Sequence, residues 1–153
     1  MRILIIIIFI FFCNSINAET CKWWFQRYGW KNFTVSKVED CLKNGSPIIA
    51  DVEGGESPLH IAAEVNSDPE VLLRLIRAGA EINGTTKKGW TPLHSAARFN
   101  PNPEILLTLI DAGANIDAKT KSGKTFIFWM EKNSEIKKTI GYVELINLYD
   151  LSK

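Results

Sequence analysis

Along the chain, apolar and polar positions fall into distinct regimes. Residues 3–12 are an unbroken apolar run. Further on, Leu72, Leu75 and Ile76, and again Leu106, Leu109 and Ile110, recur at helical spacing and predict amphipathic helices. Each such helix is preceded by a shorter one that starts at Ser57-Pro58 or Thr91-Pro92. Ser or Thr caps a helix N-terminus, and proline at the first helical position gives up an N–H that has no partner there. These short helices carry Ala62-Ala63 and Ala96-Ala97, small enough for a neighbouring helix to approach closely, and end near Asn66 and Asn100. Ser67-Asp68-Pro69 and Pro101-Asn102-Pro103 turn the chain into the second helix, and Gly79 and Gly113 stop it. Residues 80–88 and 114–122 are polar, glycine-containing and too short for a third helix, so they are expected as extended loops or hairpins.

The two units are copies. Residues 55–88 laid on 89–122 give 19 identities in 34 positions without a gap, and the offset persists through Gly45, Gly79 and Gly113 and through Gly55, Gly89 and Gly123. A fixed period of this size marks stacked units, none of which can bury its apolar face alone.

With Gly-x-[Ser/Thr]-Pro-Leu-His-x-Ala-Ala present twice in phase, followed by Leu-Leu and Gly-Ala helix ends, the chain resembles the ankyrin-repeat family. The resemblance implies an all-α solenoid of helix-turn-helix units with hairpin-like loops: two full repeats, 55–88 and 89–122, between an N-terminal capping repeat (19–54) and a degenerate C-terminal one (123–153). It also implies that His60 and His94, with Pro58 and Pro92, are framework residues, the histidines bonding to backbone and to the capping hydroxyl. The N-terminal segment has Cys21, Trp23, Trp24 and Trp30 in place of Thr-Pro-Leu-His, similar to caps of exported bacterial ankyrin proteins, and its tryptophans are expected in the core of the cap. At the other end Thr125-Phe126-Ile127-Phe128 replaces Thr-Pro-Leu-His, and Ile140, Val143, Leu145, Ile146 and Leu148 suggest a closing helix.

The apolar run now has a meaning. Met1-Arg2 before it and Ile16-Asn17-Ala18 after it make residues 1–18 a secretory signal peptide, because the run is about half the ~20 residues that a membrane-spanning helix needs. Export to the periplasm or the medium is the expectation, with no stable membrane insertion after cleavage. Without those residues, 17 basic and 17 acidic side chains remain, so no overall field favours nucleic acid or an anionic membrane. Two cysteines also remain, Cys21 and Cys41. In an exported chain an even count reads as a disulfide, worth about 3 kcal/mol for this loop; two buried free thiols are the alternative.

No nucleophile elbow, phosphate loop or zinc motif occurs, and the two histidines lack further ligands at matching positions. The chain is therefore expected to be a monomeric, non-catalytic scaffold, with no cofactor and no metal, that binds another protein. An exported effector or inhibitor of a foreign protein is the alternative. Subtracting the repeat framework leaves Ile61, Glu64 and Val65, then Trp90, Ser95, Arg98 and Phe99, then Lys124, Trp129 and Lys132, a candidate ridge of aromatics among charges. Such rings anchor interfaces only when contiguous. The loop tips pass from acidic (Asp51, Glu53, Glu56) to basic (Lys87, Lys88, then Lys119, Lys121, Lys124), which would suit an acidic partner or be ordinary solvated surface.

Overall fold

The computed structural model describes residues 21, 24, 26–48 and 54–151; the proposed leader, Trp23, Phe25, Asp51 and Glu53 lie outside the described residues. Among the described residues eight complete α-helices follow one another: α1 (Arg27–Trp30), α2 (Val35–Lys43), α3 (Pro58–Val65), α4 (Pro69–Arg77), α5 (Pro92–Phe99), α6 (Pro103–Asp111), α7 (Phe126–Met130) and α8 (Ile140–Leu151), with a 3-10 turn at Ile136–Lys138. They form two layers. Helices α1, α3, α5 and α7 stack side by side in one, and α2, α4, α6 and α8 in the other. No strand occurs among the described residues.

The predicted caps set the helix starts. Thr91 Oγ1 accepts from the His94 N–H, and Asp68 and Asn102 accept from the N–H groups of Glu70 and Glu104. Gly79 and Gly113, at φ 100° and 99°, end α4 and α6 in the left-handed region that side chains resist. Between the layers Leu59, Ala62, Ala63, Leu72 and Leu75 of the first repeat, and Leu93, Ala96, Ala97, Leu106 and Leu109 of the second, are fully buried or nearly so. Burying each of these leucines contributes roughly 1.5–3 kcal/mol.

Polar side chains then set the register between repeats. Asn66, Asn100 and Asn133 are all buried. Asn66 Nδ2 donates to the carbonyls of Trp30 and Phe33, Asn100 Nδ2 to those of Ala63 and Asn66, and Asn133 Nδ2 to those of Ala97 and Asn100, at 2.7–3.3 Å. Each Oδ1 accepts an N–H two residues further along its own chain. The histidines do the same at the other end of the layer. His60 Nδ1 accepts the Ser57 N–H at 3.2 Å while Nε2 lies 3.0 Å from the Trp90 carbonyl, and His94 repeats this with Thr91 and the Lys124 carbonyl. Accepting at Nδ1 fixes the neutral tautomer with its proton on Nε2, which donates to the next repeat.

The expected hairpins are tight turns bonded to one another. Thr86 N–H donates to the Trp90 carbonyl and Thr120 N–H to that of Lys124, closing each tip, while Lys87 N–H reaches Gly54 O and Lys121 N–H reaches Lys88 O on the preceding tip. Gly55 and Gly89 permit this approach: a Cβ on Gly89 would lie 2.9 Å from the Lys121 nitrogen.

The two ends of the described stack differ from its middle. Cys21 and Cys41 are joined, with Cα atoms 5.4 Å apart. Trp24, Trp30 and Phe33 are buried and packed on each other with ring centroids 4.7–6.1 Å apart. Both indole N–H groups are satisfied, by Pro47 O and Trp24 O. At the C-terminus α8 forms as expected, but only Leu145 of its apolar residues is fully buried. Ile140 and Val143 are exposed at 92% and 58%, and Leu148 is exposed too.

Two outcomes are expected from this lattice. Gly89→Ala and Gly123→Ala share a strained φ (75° and 74°), at about 1–2 kcal/mol for a left-handed side chain. A Cβ meets nothing within 4 Å at Gly123 but strikes the neighbouring tip at Gly89. Urea unfolding should therefore show the larger loss for Gly89→Ala, and equal losses would mean the tips do not touch. Burial holds His60 and His94 below the ordinary histidine value, against the pull of their backbone acceptors. The unfolded imidazole gains its proton near pH 6.5, so stability present at neutral pH is lost as pH falls below about 6.5. The melting temperature should drop between about pH 7.5 and 5.5, above the carboxylate range, and do so less steeply in His60→Gln/His94→Gln.

Candidate functional site

Four rings run along the edge of the α3–α5–α7 layer. His60 fixes the Trp90 carbonyl and Thr86 closes the turn around it, which stands the Trp90 ring between its neighbours. Its centroid is 6.0 Å from that of Phe99 and 4.6 Å from that of Trp129, and Phe128 meets Trp129 edge-on at 5.1 Å. The strip is continuous from repeat to repeat. Phe99 is half exposed at its N-terminal end, and the Trp129 indole N–H is buried without an acceptor.

Beside Phe99 and Trp90 opens a pocket of about 510 Å³. Its walls are Arg27 of the cap, Glu56, Glu64, the tip from Thr86 to Lys88, and Trp90, Ser95 and Phe99. Arg27 clasps both carboxylates, Glu56 at 2.7 Å and Glu64 in closer contact. Burial raises the Glu64 carboxyl above its ordinary range, and Arg27 only partly opposes it. Cations border the rest of the strip. Arg98 lies 5.5 Å from the Phe99 ring and donates to the Lys132 carbonyl, and Lys124 and Lys132 sit 4.5 and 5.6 Å from the Phe128 ring.

The structure thus brings together Glu64, Trp90, Arg98, Phe99, Trp129, Lys87 and Lys88, and sets others apart. Ile61 was expected on the surface and is instead core, 2% exposed, because its position in α3 faces the neighbouring helices. Ser95, its equivalent 34 residues on, is also buried, at 4%, and only floors the pocket. Val65 is half-buried beside the core, and Lys119 and Lys121 are exposed on the next tip, outside the pocket. Phe128 and Arg27 escaped the sequence reading. Phe128 occupies the position of His60 and His94 in the last repeat, and that substitution was a legible signal; nothing local announced that Arg27 would cross to Glu64.

The hydroxyl–histidine pairs Ser57–His60 and Thr91–His94, at 2.8 Å, belong to the capping boxes of α3 and α5 and do not line the pocket of this arrangement. Among the described residues no three His, Cys, Asp or Glu side chains converge as a metal site, and no helix is long and apolar enough to cross a membrane. What it offers is contact: aromatic area, an anchor pocket and charge. No curated protein matches the chain significantly. The family model for ankyrin repeats matches three copies over residues 10–135, which is most of the sequence. A two-layered stack of helix pairs, turned tips and the repeated Pro-Leu-His motif agree with that match, and the chain belongs to the ankyrin-repeat family.

Proposed function

We propose that this chain is an exported, non-catalytic binding scaffold, and that the strip Phe99–Trp90–Trp129–Phe128 with its pocket is where another protein docks. Ankyrin repeats serve as protein-protein interaction scaffolds, and the family is typically non-catalytic. The carrying observation is the contiguity of the rings: four aromatic side chains, each beside the next, one half exposed, opening on a cavity large enough for an anchoring side chain. Export is supported by the leader pattern of residues 1–18 and by the Cys21–Cys41 bridge, a bond that persists in oxidising compartments.

The test is retention of a native partner on the immobilised protein, comparing wild type with Phe99→Ala. Phe99 is half exposed, so its truncation should leave the circular dichroism and melting of the fold nearly unchanged. Retention should fall by about tenfold or more, as for an interface anchor. Full retention by the variant would move the binding surface elsewhere.

A further inference from the structure

We propose that the segment seated on the strip is acidic: a flexible piece of another protein that carries aspartates or glutamates beside an apolar anchor. This rests on the strip being the docking face and adds the chemistry of what docks.

The arginines carry the argument. Of the four described, Arg27, Arg74 and Arg77 each close on a glutamate, while Arg98 has only the Lys132 carbonyl at 3.2 Å and the Phe99 ring below it. A guanidinium presents five N–H donors in a planar fork that matches a carboxylate, and most of this fork is unspent. The ammonium groups of Lys124 and Lys132 converge on the one Phe128 ring, and neither has a carboxylate within ion-pair distance among the described residues. A carboxylate beside either ammonium would supply the opposite charge that it lacks. Lys87 and Lys88 extend the same sign along the pocket rim. Arg27 balances one of the two pocket carboxylates, Glu56 and Glu64, and Arg98, Lys124, Lys132, Lys87 and Lys88 outweigh the other, so the charge along the strip is positive on balance. Those two carboxylates also disfavour a continuous phosphate backbone across the pocket. Separate side-chain carboxylates with an apolar residue between them fit better than a nucleic acid.

Selection of random displayed peptides of about twelve residues against the purified protein, against Arg98→Gln/Lys132→Gln and against Phe99→Ala tests this. The wild type should enrich peptides with net negative charge and one large apolar residue. Arg98→Gln/Lys132→Gln should keep the apolar preference and lose the acidic one, and should bind the best wild-type peptide roughly fivefold more weakly, the range of two exposed charge pairs. Apolar peptides without acidic bias, lost on Phe99→Ala, would overturn the inference and keep the docking face. Enrichment indifferent to both variants, or none, would overturn both. Displacement of the acidic peptide by a mixed-sequence single-stranded oligodeoxynucleotide at equal charge concentration would overturn it in favour of nucleic acid.

Discussion

Each repeat of this stack is fastened to the one before it by a buried asparagine whose amide spans two carbonyls of its predecessor. Apolar burial between helices is nearly indifferent to a small slide, but a buried donor without an acceptor costs about 1–3 kcal/mol, so the asparagines turn a greasy contact into a registered one. The alanine pairs permit the close approach that puts donor and carbonyl in range. The histidines fasten the opposite end of the same layer, and the tip turns bond to each other beyond them. With register fixed at three heights, side chains one repeat apart must stand side by side. Trp90 and Trp129 meet for that reason, and a loss of register would scatter the strip.

The first and last described units vary this scheme. The first, which includes Trp30 and Phe33, has no Thr-Pro-Leu-His of its own. It has to present the carbonyls of Trp30 and Phe33 to Asn66, and the bridged cysteines and three packed aromatics hold them there. The last described repeat keeps the asparagine, Asn133, and has Phe128 where the two before it have histidine; no further tip stands beside it among the described residues. That ring joins the strip.

The period, the helices, their capping residues and the bridge were legible because each depends on local residue type: proline at a first turn, glycine at a helix end, an even cysteine count. The asparagine ladder was not, because Asn66 and Asn100 read only as the ends of the short helices, and only the folded stack reveals what their amides reach. Exposure was misread for Ile61 and Ser95, which vary between repeats yet face inward; sequence difference between copies marks freedom from the framework, not contact with solvent. The aromatic ridge was half legible. Its members could be named from the residues left after subtracting the framework, but their contiguity is a product of register.

The account stands on that register, and amide hydrogen exchange at Lys87 and Lys121 tests it most directly. Both amides sit on exposed lysines at loop tips, where independent loops would exchange freely. Donation to Gly54 O and Lys88 O should instead protect them nearly as well as helix amides, and Asn100→Ala should strip that protection from both. Unprotected exchange at these two amides in the wild-type protein would contradict the account.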